Sequence, residues 1–492
     1  RARCAAEAGA AGMKVIILGA GRVGCSVAES LVSERNDITV IDTDAGRLRE
    51  LESRFDLRGV VGSGIEVGVL AEAGAQDTDL LIACAAQDET NLVCCKLGQL
   101  VFNIPTRIAR VRSQGFESEA LMSNEGFGVS RIICPEESLT RYIGKLIEYP
   151  EAMQVREFAG GRACLVSTRA RAGAPMVGKT IGETRAGTPD LAMRIVALYR
   201  RFPDEPDRFV ACGGLTRIEP GDEVFALSAR ENIPVVLGGL HRRPGHETRQ
   251  VRRVMIAGGE AVGLRLAQQL AREPGRFHVK LFEPDGERCV ELASLLPSEV
   301  LVLQGSATDE DLLAAETIED VDLFLALSED DENNIMGALL AKRMGARRVL
   351  ALINRRSYAD LMHGTQIDIA LSPAQAMLGE LLAHVRRGDV QAVHSLRRGV
   401  AEALEVVVRG DRKSSRVVGR RVNELRLPGD VHMGLIVRGL VDAGVAPEQP
   451  PEVIIPRSDT VIEQGDHVVF FLPHKRLVGD VEKLFRVSAT FF

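Results

Sequence analysis

Six consecutive residues near the start of the chain, Gly19-Ala20-Gly21-Arg22-Val23-Gly24, have the types and spacing that hold a phosphate without any catalytic side chain. They follow an apolar run of strand length, 14–18, and lead into a helical apolar pattern at Val27, Ala28 and Leu31. In that setting each glycine has its own task. Gly19 permits the tight turn, Gly21 lets backbone approach a pyrophosphate, and Gly24 lets helix and strand pack closely. The helix N-terminus then presents unpaired N–H groups, an attraction of ~0.3–2 kcal/mol for an anion. A second apolar run, 38–41, ends in Asp42. Its carboxylate can accept both hydroxyls of a ribose, each charge-assisted bond contributing roughly 1.5–3 kcal/mol. Its charge also disfavours a 2′-phosphate, which makes NADP a poor ligand.

The pattern recurs as Gly258-Gly259-Glu260-Ala261-Val262-Gly263, with Glu283 at the tip of the following strand pattern. Here Glu260 stands where the second glycine stood. A side chain there blocks backbone approach and its charge repels pyrophosphate, so the second site is expected to be weak, altered or empty. Glu283 is still placed for a ribose.

Residues that would do covalent or acid–base chemistry are missing. There is no GxSxG, HExxH or GxxxxGK[ST] motif, and no His lies in 13–135. A hydride-transfer enzyme needs a general acid or base beside its cofactor, and the segments after each glycine loop supply none. Asp88-Glu89 and Asp331-Glu332 fit helix N-terminal acids that favour the macrodipole. Nine cysteines form no CxxC pair or zinc spacing; they are expected to be reduced, mostly buried thiols of a cytosolic protein, with no metal site.

With Lys+Arg 61 against Asp+Glu 68 the net charge is −7, and there are 4 Tyr and no Trp. That balance lacks the basic footprint and stacking platforms of a nucleic-acid binder. Basic pairs such as Arg252-Arg253 and Arg386-Arg387 read as solvated ends and linkers. No apolar run reaches the ~18 residues of a membrane-spanning helix.

The elements that must position these residues are duplicated. Beyond Gly19 and Gly258, the run 79–91 matches 322–334, Arg112-Ser113 matches Arg356-Ser357, and 218–222 matches 462–466, all at a near-constant shift. The repeat is far longer than the ~20–50 residues of a solenoid. Within each copy, alternating strand and helix patterns predict a doubly wound parallel sheet of the Rossmann type. Short β-branched runs separated by Gly/Pro turns, such as the one ending at Asp430, then predict a small α+β domain. The α/β chain is thus expected to divide into an extension (1–12), a first Rossmann-like domain (13–135), a first small domain with its hinge (136–235), a linker (236–250), a second Rossmann-like domain (251–373) and a second small domain with its hinge (374–492). Residues 1–12 are Ala/Gly-rich and lack the apolar core of a signal peptide; Met13 immediately precedes the first strand pattern and is expected to be the natural start. His241 and His246 are expected to be solvated linker residues.

Read together, GAGRVG, DITVIDTD, DETN and RIARVRS in the first copy, and DVDLFLALSEDDENNIMGALLAKRMGARRV, SLRRGVAEALE and IEQGDHVVFF in the second, resemble the TrkA family of Trk potassium uptake systems. Its members are cytosolic regulators built from two RCK units, each an N-type Rossmann and a C-type subdomain. The resemblance implies a homo-oligomeric ring, a tetramer, on the cytoplasmic face of the inner membrane beneath a Trk-type potassium transporter. It implies NAD(H) and/or ATP/ADP as regulatory ligands. By position, residues 19–24 would line the phosphates, Asp42 the ribose, and Ala85 and Ala86 would face the nucleotide. Arg110 and Arg112 would reach phosphates, across a subunit boundary. The chain departs from the family pattern at Glu260, at Gly62-Ser63-Gly64 and Gly305-Ser306, where Ser replaces a frequent acid, and at 447–451, a Pro-rich turn. The Rossmann loops alone would also suit an NAD-dependent dehydrogenase; the missing acid–base residue and the duplicated plan oppose that reading.

Overall fold

The computed structural model describes residues 12–32, 36–113, 116, 119–202, 205–210, 212–242, 250–355, 358, 361–362, 366–385, 389–397, 400–429, 431–440 and 450–487. The extension before residue 12, His246, Arg356-Ser357, Arg386-Arg387, Asp430 and 447–449 lie outside them.

The first unit opens with β1 (Lys14–Leu18), α1 (Arg22–Val32), β2 (Asp37–Asp42), α2 (Ala45–Arg54), β3 (Arg58–Val61), α3 (Val67–Glu72), β4 (Leu80–Ala83), α4 (Asp88–Leu100), β5 (Thr106–Arg110), α5 (Glu119–Met122) and β6 (Arg131–Ile133). The strands form one parallel sheet in the order β3-β2-β1-β4-β5-β6. This is the doubly wound Rossmann order, whose topological switch lies between β1 and β4, at the glycine loop. The long helix α6 (Pro135–Glu148) leads away from the sheet. Next comes an antiparallel sheet from β7 (Gln154–Phe158), β8 (Ala163–Arg169), β9 (Met193–Arg200), β10 (Arg208–Val210) and β11 (Glu223–Ala229), with α7 (Ile181–Gly187) and α8 (Ile233–His241). Its order is β10-β9-β11-β8-β7.

The second unit repeats this with β12 (Arg253–Ala257), α9 (Ala261–Ala271), β13 (His278–Glu283), α10 (Gly286–Leu295), β14 (Val300–Gln304), α11 (Glu310–Ala315), β15 (Leu323–Ala326), α12 (Asp331–Arg343), β16 (Val349–Leu352) and β17 (Ile369–Leu371). The parallel order β14-β13-β12-β15-β16-β17 copies the first sheet. The helix Pro373–Val385 plays the part of α6. It leads to β18 (Val390–Leu396), β19 (Ala401–Val407), β20 (His432–Arg438), β21 (Glu452–Ile454) and β22 (His467–Leu472), ordered β18-β19-β22-β20-β21, and to the helix Val478–Phe485. Read from the opposite edge, this is the topology of the first antiparallel sheet.

The repeated Ile-Glu-x-Gly-Asp runs are turn staples. Gly221 and Gly465 take φ of +95° and +84°. Buried Asp222 accepts from the Glu219 N–H and from two guanidinium nitrogens of Arg200, each at 2.8 Å. Asp466 does the same with Glu463 and Arg438, at 2.9 Å. A bidentate pair of this kind fixes geometry as well as charge.

The two units interlock. Leu139, Ile143 and Leu146 of α6 share one core with Val262, Leu266 and Leu270 of α9, in the other unit. Reciprocally, Leu378, Leu381 and Leu382 of the helix Pro373–Val385 pack with Val27 and Leu31 of α1. The antiparallel sheets face each other through Phe158, Leu165, Phe225 and Leu227 on one side and Leu396, Leu435, Val469 and Phe471 on the other. The expected linker begins later than the sequence suggested. His241 is the last residue of α8, half-buried against Thr168 and the Arg169 carbonyl, and burial lowers its pKa to about 4. It is not a solvated linker residue, because the helix carries it back onto β8.

Arg348, just before β16, ties the second parallel sheet to the chain leaving α6. Its guanidinium donates to the carbonyls of Leu146 (3.4 Å), Pro150 (2.8 Å) and Ala152. Arg348→Ala leaves these acceptors without their shared donor and should cost about 3 kcal/mol, read as a lower Tm. Arg348→Lys should recover only part, since a point ammonium cannot span three carbonyls.

Candidate functional site

The first glycine loop is built by steric need. Gly19 sits at φ +100° and donates its N–H to Ile41 O at 2.8 Å. A Cβ at Gly24 would lie 1.8 Å from the Gly19 carbonyl oxygen, so α1 approaches the turn as only glycine allows. A Cβ at Gly21 would meet nothing within 4 Å, so this face of the loop is open. Arg22, Val23 and Gly24 form the first turn of α1, whose N–H groups have no intrahelical acceptor. Asp42 is 9% exposed; its carboxylate accepts from Ala20 N–H at 2.6 Å and Asp44 N–H at 2.8 Å. It therefore braces the loop, and a carboxylate's ~4 lone-pair sites leave about two for an incoming hydroxyl.

Across the switch point, β4 ends beside Ala85 and Ala86. Fully buried Asn91 donates to Ala85 O (3.1 Å) and Arg110 O (2.9 Å) and accepts from Ala85 N–H (2.8 Å). One side chain thus lashes the ends of β4 and β5 into the floor of the cleft. Asp88 stands in the first turn of α4, as expected of a helix N-terminal acid, and has a second role as well. Its carboxylate accepts the N–H groups of Arg112 and Ser113, both at 2.9 Å, and so holds the loop after β5. Arg112 folds its guanidinium onto the Ala86 carbonyl. Arg110 is engaged elsewhere, in a 2.9 Å ion pair with Glu136 in the first turn of α6. From the other unit, Arg265 of α9 donates to Arg112 O at 2.7 Å, and Arg22 faces Glu329 at 3.8 Å.

The second cleft repeats the frame. Gly258 has φ +106°, and a Cβ at Gly263 would lie 1.9 Å from Gly258 O. Glu283 accepts from Gly259 N–H (2.9 Å) and Asp285 N–H (3.1 Å). Ala261 and Val262 start α9. Asn334 and Asp331 repeat the parts of Asn91 and Asp88, bonding Ser328 and Leu352 O, and the Asn354 and Arg355 N–H groups. The difference is Glu260. A Cβ at Gly258 would lie 2.8 Å from Glu260 Oε2 and 2.7 Å from Ser328 N. The carboxylate is therefore turned into the gap between the loop and the end of β15. Burial, aided by the charges of Glu283 and Glu329, raises its pKa above 4.5, against the pull of backbone N–H bonds. Arg288 donates to Gly259 O at 2.8 Å on the same loop.

Among the described residues, no group of three or more His, Cys, Asp or Glu could hold a metal ion, and no helix is long and apolar enough to cross a membrane. The eight described cysteines are free. Burial pushes Cys84 and Cys94, under the first cleft, up to about 12, so they are poor nucleophiles.

The TrkA-N domain model matches residues 15–135 and 254–373, the two parallel-sheet regions, and the TrkA-C domain model matches 412–485. The Trk system potassium uptake protein TrkA of Halomonas elongata is 47% identical over 481 residues, covering 98% of this chain and 100% of that protein. The Vibrio alginolyticus protein of the same name is 45% identical, covering 97% and 100%. The chain belongs to the TrkA family. Among solved structures, the RCK domain of GsuK covers 96% of this chain and 95% of its own at a TM-score of 0.58 and 16% identity. The GsuK channel bound to NAD reaches a TM-score of 0.59 over 96% and 79%, also at 16% identity. These likenesses establish the tandem RCK fold. The first antiparallel domain is a second TrkA-C-like module by topology, since its strand order is that of the matched one.

Sequence reasoning missed the clamping roles of Asn91 and Asp88. The available signal was internal: Asp-Glu-x-Asn occurs at the same place in both copies.

Glu260 has a signed consequence for stability. Its folded pKa lies above its unfolded value, so the folded state binds the extra proton and stability falls as pH rises through that window. Glu260→Gln should therefore raise Tm at pH 7, and its advantage should shrink as pH falls below about 4.5, where wild type is protonated in both states. Equal Tm differences at both pH values would contradict this.

Proposed function

We propose that this TrkA-family chain is a cytosolic, nucleotide-sensing regulatory subunit of a Trk-type potassium uptake system. In this reading it binds NAD(H) and/or ATP/ADP in the first cleft, as a homo-oligomeric ring on the cytoplasmic face of the inner membrane, and gates the transporter by a change of ring conformation. The observation that carries the reading is the first glycine loop. It is open at Gly21, backed by a helix N-terminus and braced by Asp42, which keeps acceptor capacity for a ribose. Full-length similarity to the Halomonas and Vibrio potassium uptake proteins supports the potassium system, and the fold shared with the NAD-bound GsuK channel supports NAD as one ligand class. Residues 19–24, Asp42, Ala85, Ala86 and Arg112 line the proposed site, with Arg110 at its rim.

The mechanism is a population shift. Ligands differing in phosphate number favour different settings of the loop after β5, which Arg265 joins to the second unit. A full 1:99 to 99:1 reversal requires about 5.5 kcal/mol of differential affinity, and a ring can divide this among its sites.

The test is calorimetric titration with ATP, ADP, NADH and NADPH, comparing wild type with Asp42→Asn, which keeps one acceptor oxygen for the loop. The unphosphorylated-ribose ligands should bind without being consumed, NADPH weakly, and the variant should lose about tenfold or more. In a host lacking its own Trk regulator, the variant should also support less potassium uptake. Binding indifferent to Asp42 would remove the first cleft from the mechanism, and oxidation or reduction of an added substrate would favour the dehydrogenase reading.

A further inference from the structure

We propose that the second small domain carries, over residues 411–426, a basic face that docks on an anionic lipid bilayer and lays this side of the chain against the membrane.

The segment folds so that its apolar residues turn in and its charges turn out. Val417 is fully buried and Leu425 is 9% exposed, both part of the core beneath, and Val418 and Val422 pack against the same core. Between and around them Arg412, Lys413, Arg416, Arg420, Arg421 and Arg426 are all exposed. The run folds back on itself. A Cβ at Gly419 would collide with the Arg412 side chain, so the turn holding Arg412 and Lys413 lies beside Arg420 and Arg421. The six charges are not consumed by neighbours. Among the described residues, the ion pairs of this domain use Arg397, Arg409, Arg438, His467 and Lys483, and none of the six. The two acids of the run serve the backbone instead. Asp411 accepts the Lys413 and Ser414 N–H groups at 3.0 and 2.9 Å, and Glu424 accepts the Arg421 N–H at 3.0 Å.

The duplication shows that the fold does not require this charge. Gly419 N–H bonds Ile462 O as Gly178 N–H bonds Ile218 O, each at 2.8 Å, and Arg421 bridges to Val461 as Thr180 does to Arg217. At that register Lys413, Arg416 and Arg421 answer to Ala172, Pro175 and Thr180 of the first small domain. The buried positions between them stay small or apolar, Ser415 against Ala174 and Val417 against Met176. The same local structure therefore forms with half the basic side chains, and three of the six stand where packing asks for none.

The partner class follows from what accompanies the charge. No large apolar side chain of 411–426 is exposed, and the run has no aromatic residue. A protein interface draws on buried aromatic or aliphatic anchors, and single-stranded nucleic acid on stacking platforms. Clusters of about 4–8 Lys/Arg without such anchors suit the smeared negative charge of anionic headgroups, each charge strengthening binding about fivefold. The chain as a whole is net −7, so the rest of its surface is repelled by the same bilayer and this face is turned toward it. The inference rests on the proposed place of the chain at the inner face of a membrane, but its test uses neither nucleotide nor transporter, so each reading can fail alone.

The full chain should co-sediment with vesicles of phosphatidylglycerol and phosphatidylcholine in equal parts, and not with vesicles of phosphatidylcholine alone. Binding should fall steeply from about 0.1 M to about 1 M salt, as the screening length shortens from about 10 Å to about 3 Å. Lys413→Ala, Arg416→Ala and Arg421→Thr, combined, should weaken it about a hundredfold with Tm unchanged. Arg416→Lys with Arg421→Lys should bind like wild type, because a bilayer reads charge and not the guanidinium fork. Arg171→Ala, Lys179→Ala and Arg185→Ala in the first small domain, combined, should change little. No binding to the anionic vesicles, equal binding to phosphatidylcholine, binding indifferent to the second-domain triple variant, loss in the lysine variant, or an equal loss in the first-domain variant would each overturn the assignment. Retention by soluble polyglutamate but not by the anionic vesicles would also overturn it, and would give the face to an acidic protein.

Discussion

Everything in this chain depends on the exchange of two helices. α6 leaves the first parallel sheet and buries Leu139, Ile143 and Leu146 against α9 of the second unit, while the helix Pro373–Val385 does the same on α1. Neither unit then owns a complete core, because each α1-type helix beginning at a glycine loop has its outer face covered by the other unit's hinge. The polar contacts follow the same path. Arg110 at the end of β5 grips Glu136 in the first turn of α6. Two residues on, Ser138 donates to Glu380 of the opposing hinge helix at 2.9 Å. A displacement at the cleft rim therefore reaches the other unit through two contacts. Coupling still requires a ligand that distinguishes two settings of that rim; the proposed mechanism assigns those settings to the loop holding Arg112.

The parts of the fold legible in the sequence were those set by local geometry. A strand, a GxGxxG turn, a helix and an acidic strand tip are constrained by sterics and hydrogen bonding within some twenty-five residues, so the loop, Asp42 and the duplicated plan could all be read directly. Asp88 could not. At a helix start an acid is fully explained by the macrodipole, and only the tertiary approach of the loop after β5 shows that its carboxylate serves Arg112 and Ser113 as well. His241 was obscured in the same way. Its neighbours in sequence are polar, but α8 packs it against β8, where burial holds it neutral. The crossed hinge helices were invisible because both partners are ordinary amphipathic patterns, and nothing in an apolar stripe names the surface it will cover.

The duplication also separates positions that cannot drift from positions that can. Gly19 and Gly258 require left-handed backbone, and Gly24 and Gly263 a missing Cβ. Asn91 and Asn334 satisfy buried carbonyls, and Asp222 and Asp466 close the Arg200 and Arg438 staples. A change at any of these leaves strain or an unsatisfied buried group, at about 1–3 kcal/mol each. Elsewhere the copies differ: Gly21, which faces open space, against Glu260, Ala85 against Ser328, and Ala159 against Arg397.

At Gly21/Glu260 and Ala159/Arg397 the larger, charged residue lies in the second unit. Glu260 fills the gap beside its own glycine loop, and Arg397 fills its side of the sheet interface. A space filled by a tethered side chain is occupied at a very high effective concentration, so no dilute solute can compete for it on equal terms. At Gly21 the first unit keeps the corresponding space open. In the proposed mechanism, the loop that Glu260 fills is fixed while the one open at Gly21 can respond to what the solution contains. That division suits a hinge, since relative motion needs only one arm to change.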